Sequence, residues 1–402
     1  MSRELVYLLL IFGLLVVPRA LQRWKIPAPL TCLLFGIVAM LAWGDRSHDA
    51  VVALLATLGI SSLFLFAGLE VDLAALRRGW VPLVAHLLVR VATLGVVAWL
   101  AWRYFALQWQ AAALLALALL TPSTGFILDS LARLGLDEQE RFWVTSKAIA
   151  GELLALAVLF FVLQAGDPME LAVSSLVMVA MVVGLPLVFV GLGRWVAPHA
   201  PGSEFSLLVM VGLVAAFVTY KLGVYYLVGA FVAGLIARLL QARMPRLASQ
   251  ENLHAVRLFA SFFVPFYFFS AGTKVPVEAL SLDALWIGLA LTLVVLPARI
   301  GILWAQRRLL FRAESAANSL RVSLALSPTL IFTLVLAGIL LARFDIAPAL
   351  FGGLLLYATL TTLLPSLVFR TPFDVDPAED HGLPTSLDEP PGAGPAVAPG
   401  HP

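Results

Sequence analysis

Leu119-Leu120-Thr121-Pro122-Ser123-Thr124-Gly125 and Leu324-Ala325-Leu326-Ser327-Pro328-Thr329 are the two stretches on which the fold turns. Each lies near the middle of a long apolar run, and each places a hydroxyl on both sides of a proline. Proline removes a backbone donor and crowds the preceding turn, so a helix carrying either stretch breaks there. Carbonyls released by the break can face a cation, half-helix ends present dipole charge, and Thr and Ser hydroxyls add neutral oxygen ligands. Thr121, Ser123, Thr124, Ser327 and Thr329 are therefore candidate ion ligands, with Pro122 and Pro328 as the helix breaks.

The composition around these stretches excludes a soluble enzyme. Of 402 residues, 61% are hydrophobic and only 12% charged, where soluble proteins carry about 25% charge. The mean hydropathy is +0.97. A soluble globule has too little polar surface here to cover itself. The net charge of +2 gives no reason to expect nucleic acid as a partner. The single cysteine, Cys32, excludes an internal disulfide, a thiolate metal cluster and a CxxC redox pair. The six histidines have no metal-ligand spacing, and no cofactor is expected. The chain reads as an all-α polytopic membrane protein whose solvent is the lipid bilayer.

A spanning helix needs about 20 mostly apolar residues. Thirteen segments qualify: 4–22, 28–43, 51–73, 80–103, 109–134, 139–164, 170–197, 204–220, 223–241, 252–273, 282–310, 316–343 and 347–369. Their long continuous apolar runs exclude a barrel, whose strands alternate over about 10 residues. The first segment reads as a span and not a signal peptide, because Arg19, Arg23 and Lys25 follow its apolar run and no A-x-A site is present. Loops on one side hold fifteen Lys and Arg (19, 23, 25, 77, 78, 133, 141, 194, 238, 243, 246, 307, 308, 312 and 370), and those on the other hold six (3, 46, 103, 221, 274 and 343). The richer side is expected to be cytoplasmic. The N-terminus is then outside and the C-terminus inside the inner (plasma) membrane. Residues 371–402 hold eight prolines, six acids and no Lys or Arg, and read as a disordered cytoplasmic tail.

The two breaks fall in segments five and twelve. Segments one to six (about 4–164) and eight to thirteen (about 204–369) then form two six-helix repeats, with the connector helix 170–197 between them. An offset of seven makes the halves enter from opposite faces. Inverted repeats with broken helices in corresponding positions mark a transporter's midplane binding site.

Ionisable groups within spans are costly and usually functional. Glu152 lies mid-way along segment six, too far from either loop to snorkel, and is a candidate proton- and cation-exchanging carboxylate. Arg299 lies mid-way along segment eleven after Pro297. It stays charged, so it can hold a carboxylate or neutralise the carbonyl ends of a broken helix, but cannot shuttle protons. Lys147, five residues before Glu152, is expected to snorkel toward the cytoplasm and compensate charge. Asp129, Glu70, Asp72, His86, Arg90, Arg257 and Arg321 read as pairing or interfacial residues. The run Phe262-Phe263-Val264-Pro265-Phe266-Tyr267-Phe268-Phe269 reads as lipid-facing or packing surface.

Six stretches occur in a telling order: Ile26-Pro27 through Gly36; Leu63-Phe64-Leu65-Phe66-Ala67-Gly68-Leu69-Glu70-Val71-Asp72; the break at Thr121–Gly125; Leu134-Gly135-Leu136; Gly229-Ala230-Phe231-Val232-Ala233-Gly234; and Phe268-Phe269-Ser270-Ala271-Gly272. Together they resemble the monovalent cation:proton antiporters, in the Kef-like and NapA-like sodium/hydrogen exchanger branch, over about residues 5–370. The resemblance implies an inverted-repeat fold with two crossing broken helices, a homodimer, and elevator-like transport of Na⁺ or K⁺ against H⁺. It places the family's two adjacent polar residues of segment six on Gly151-Glu152, and its basic residue of segment eleven on Arg299. One carboxylate beside a permanent Arg implies one-for-one, electroneutral exchange. Two other readings remain open from the residues alone. One is an anion or small-solute transporter on the same scaffold, drawn by Arg299; the other is a non-transporting membrane sensor. No nucleophile–base pair points to an enzyme.

Overall fold

The computed structural model describes residues 3–24, 26–44, 49–72, 76–77, 79–200, 202–241, 244, 249–311 and 315–369. The expected tail, 371–402, lies outside them, as do several loop arginines of the charge count and the side chain of Asp129. The described chain is helical throughout: α1 Arg3–Gln22, α2 Ala28–Trp43, α3 Ala50–Leu69, α4 Trp80–Phe105, α5 Trp109–Leu120, α6 Thr124–Ser130, α7 Glu138–Gln164, α8 Pro168–Gly191, α9 Glu204–Lys221, α10 Tyr226–Leu239, α11 Gln250–Thr273, α12 Leu282–Leu310, α13 Ala316–Ala325, α14 Leu330–Phe344 and α15 Pro348–Val368. Each of the thirteen expected segments has a helix or helix pair in its place. Among the described residues, ten helices are long and apolar enough to cross a membrane, and the bent pair α13–α14 makes an eleventh when taken as one span. The remaining two, at 28–42 and 226–239, are shorter apolar helices. Segments eight and nine are separate, with Gly223 in the left-handed region between them.

Local sequence explains where the helices start. Asp49 accepts from the Val51 and Val52 amides at the head of α3. Asp137 and Glu140 form a reciprocal capping box on α7, which satisfies two otherwise orphaned donors. Asp167 caps α8, and serines 249, 281 and 315 cap α11, α12 and α13. These polar caps sit at the ends of apolar helices, where free N–H groups need partners.

The core forms where α3 packs on α10 and α11, α2 on α11, α4 on α5, α14 on α5 and α15, and α12 on α15. Helices α1, α4, α8 and α12 turn large apolar side chains outward, among them Phe12, Leu88, Leu187 and Leu293. Such faces suit lipid, where apolar exposure carries no penalty. The Phe-rich run on α11 serves both purposes: Phe266 and Phe268 are fully buried, while Phe262 is exposed.

The ordered motifs are contact pairs. A Cβ on Gly68 would overlap the Phe231 carbonyl oxygen, and one on Gly234 would overlap that of Leu65. Gly36 and Gly272 stand in the same relation to the carbonyls of Phe269 and Leu33. Glycines therefore let α3 touch α10, and α2 touch α11, backbone to backbone, as small residues do in membrane helix pairs. Gly68→Ala is expected to lower the unfolding free energy by about 1–3 kcal/mol through overpacking. Thermal unfolding in detergent checks this. Gly13→Ala is the control, because a Cβ on Gly13 meets nothing within 4 Å.

Candidate functional site

The two prolines break their helices as expected. Helix α5 ends at Leu120, residues 121–123 are not helical, and α6 begins at Thr124. Helix α13 ends at Ala325, and α14 leaves at 44° from Leu330. The two breaks meet. The Ser123 amide donates to the Pro328 carbonyl at 2.8 Å, and Ser123 Oγ accepts from the Ile331 amide at 2.9 Å. Thr333 Oγ1 donates to the Ala118 carbonyl at 2.7 Å. Ala118 thus pairs with Thr333 and Ser123 with Pro328, so the two broken segments run antiparallel past each other. The Ala118 carbonyl that Pro122 orphans is satisfied across the crossing, and the Leu324 carbonyl that Pro328 orphans accepts from the Ser327 amide, as a membrane interior demands.

Helix α7 brings Glu152 to this crossing. Its side chain is 2% exposed. It lines a narrow cleft with Ser123, Thr124, Gly125, Leu63, Phe64, Ala67, Ile331 and Phe332, and the cleft has no room for a water molecule. Thr124 faces the carboxyl across it. Glu152 Oε2 and the hydroxyls of Thr124 and Thr121 are buried without hydrogen-bond partners. Unpartnered buried oxygens are uncommon and call for an explanation. Here they cluster where a helix is interrupted.

The candidate ligands separate into two groups. Thr124 and Ser123 stand beside Glu152. Ser327 Oγ instead donates to the Thr361 carbonyl at 3.2 Å, and Thr329 Oγ1 lies 3.2 Å from Thr361 Oγ1. Both are tied to α15 and neither lines the cleft. Thr121 is fully buried but also stands outside the cleft lining.

Arg299 does not pair with Glu152. Its Nη1 donates to the Ser327 carbonyl at 3.2 Å and to Tyr357 Oη at 2.9 Å, and its Nη2 to the Leu326 carbonyl at 3.2 Å. It neutralises the carbonyl end of α13, where the helix dipole is negative. Tyr357 Oη then donates to the Leu119 carbonyl at 2.7 Å, linking Arg299 to the end of α5. Lys147 does not snorkel. Its side chain is fully buried, because α7 is enclosed by α4, α5, α6 and α13. Glu140 meets Arg321 at 3.4 Å, a pairing role like the one expected of Arg321.

Sequence reasoning passed over Tyr357, Thr333 and Thr361, whose contacts across the crossing leave no local pattern. Arg90, read from sequence as a pairing residue, carries a signal of its own as an arginine at mid-span.

A family model, sodium/hydrogen exchanger, transmembrane, matches residues 7–374. The chain belongs to the sodium/hydrogen exchanger family. Within that family it is 23% identical, over 284 residues, to the probable Na(+)/H(+) antiporter 3 of Methanocaldococcus jannaschii, covering 68% of this chain and 72% of that protein. Among solved structures, it is similar to the sodium proton antiporter MjNhaP1 of the same organism at pH 8, with a TM-score of 0.63, 14% identity, and coverage of 92% and 97% of the two chains. A second structure of MjNhaP1, from an electron-microscopy map, gives a TM-score of 0.59 at 17% identity, covering 92% and 96%. The likeness extends over nearly the whole of both chains, so this exchanger has the antiporter fold.

Proposed function

We propose that this exchanger moves Na⁺, or K⁺ in its place, across the membrane in exchange for H⁺ by alternating access, with Glu152 as the one site for which both ions compete. The observation that carries the reading is the Glu152 carboxyl, buried beside the meeting point of two broken helices with one oxygen unpartnered. The carboxylate form takes the cation, helped by the oxygens of Thr124 and Ser123. Protonation releases the cation and gives a neutral group that returns across the membrane. Because the cleft is too tight to admit a water molecule, loading and release require the helices around it to move. The relatives' names support Na⁺ over K⁺. The charge asymmetry of the loops supports an outside N-terminus, and a homodimer in the inner membrane follows the resemblance.

The anion reading is weaker at this geometry. The donors of Arg299 are directed at backbone carbonyls and Tyr357 and not into the cleft. The test is purified protein in proteoliposomes with an internal pH dye. External Na⁺ is expected to raise internal pH change in proportion to its gradient, with K⁺ run alongside to rank the two. No response to either cation, in protein that is folded, would overturn the reading.

A further inference from the structure

Arg90 is the second arginine at the crossing. Helix α4 precedes the first broken pair as α12 precedes the second, and Arg90 reaches from α4 much as Arg299 reaches from α12. Its Nη2 donates to the Leu120 carbonyl at 2.6 Å, the last residue of α5. Its guanidinium lies over Gly151, where a Cβ would stand 3.3 Å from both Cζ and Nε. Its Nε is buried without a partner. Leu119 and Leu120, successive carbonyls at the end of α5, are thus claimed by Tyr357 and Arg90. Leu326 and Ser327, successive carbonyls after α13, are claimed by Arg299. Both carbonyl ends that the breaks release are occupied by fixed positive charge. A Cβ at 151 would press on one of them by a few tenths of an ångström, and a larger side chain would displace it further.

We propose that Arg90 is a positioning residue of the exchange site: a fixed cation seated over Gly151 that occupies the carbonyl end of α5 and so confines the transported cation to Glu152. This rests on the reading of Glu152 as the exchange site. Without Arg90, the Leu120 carbonyl offers a competing oxygen and a repelling charge is lost. The cation then binds more tightly and leaves more slowly. The absence of a side chain at 151, a departure from the polar pair that the resemblance leads one to expect, becomes part of the device.

The experiment is Na⁺-driven proton flux in proteoliposomes, with KM and kcat for Na⁺ measured separately. Arg90→Met is expected to lower the Na⁺ KM by on the order of threefold to tenfold and kcat by about tenfold, since a like charge has been removed from a low-dielectric site. Arg90→Lys, which keeps the charge and a donor, is expected to stay within about twofold of wild type on both. Gly151→Val, which pushes the guanidinium aside, is expected to shift KM in the same direction as Arg90→Met and to add nothing in the Arg90→Met background. An unchanged KM in folded Arg90→Met, or equal behaviour of the Met and Lys variants, would overturn the proposal. Should Arg90→Met fail to fold, an unchanged KM in Gly151→Val would overturn it instead. Absence of flux in the wild-type protein would overturn the Glu152 reading and this inference together. Wild-type flux with unmoved variants would overturn this inference alone.

Discussion

Glu152→Gln is expected to abolish Na⁺-driven proton movement, by on the order of 100-fold or more, and to leave the fold intact. Glutamine matches glutamate in size but carries neither the proton nor the charge that the exchange requires. The structural cost is small for a specific reason. The described structure gives Glu152 no ion pair, and its Oε2 has no hydrogen-bond partner, so neutralising it strands no buried counter-charge. Removing an unpaired buried charge is commonly neutral or stabilising. The thermal unfolding midpoint of Glu152→Gln should therefore equal or exceed that of wild type, while dye-reported flux falls to the level of empty liposomes. Competition at one carboxyl also fixes a sign for pH. Lowering the pH should weaken apparent Na⁺ affinity, by up to about tenfold per pH unit where one proton is displaced per cation.

Arg299→Leu is expected to do the opposite: to damage the fold first and transport as a consequence. Its guanidinium holds the Leu326 and Ser327 carbonyls and Tyr357, and all of these groups are buried at the crossing. Removing one partner of a buried charged network leaves the others unsatisfied, at about 3–5 kcal/mol. Arg299→Lys should fall between leucine and wild type, since an ammonium group is a point donor and cannot span two carbonyls and a phenol as a planar fork can. Thermal unfolding in detergent, with flux measured on the surviving fraction, separates the two effects. Wild-type stability in Arg299→Leu would refute the capping role.

The contrast between Glu152 and Arg299 also marks what a sequence can convey. Both stood out as charges within apolar runs, and both lie at the crossing. Which of them leaves an oxygen unpartnered and which is fully engaged depends on partners 25 or more residues away. The breaks were legible because proline acts on its own turn. Their meeting was not, because the bonds Ser123–Pro328, Ser123–Ile331 and Ala118–Thr333 join segments about 200 residues apart. The hydroxyls illustrate the same limit. A Ser or Thr in an apolar helix can satisfy itself on the preceding turn, as Thr93 does on the Val89 carbonyl. Nothing local distinguishes it from Thr333 or Thr361, which join different helices. Ser327 and Thr329 flank their proline just as Thr121 and Ser123 do, yet α15 engages both, and of the four only Ser123 lines the cleft. Lys147 looked near enough to the cytoplasm to snorkel, but four neighbouring helices enclose it. The order of the glycine motifs is legible in the sequence, but their purpose is not. They are the two halves of close backbone contacts, α3 with α10 and α2 with α11, which only the packed structure brings together.

The central claim is that one carboxyl serves both ions, and the most direct measurement counts protons released when Na⁺ binds. Purified protein in weakly buffered detergent solution, mixed with Na⁺ and followed with a pH indicator, is predicted to release one proton per cation bound when the carboxyl starts protonated, and none in Glu152→Gln. Na⁺ binding without proton release, or equal release from the Glu152→Gln protein, would contradict it.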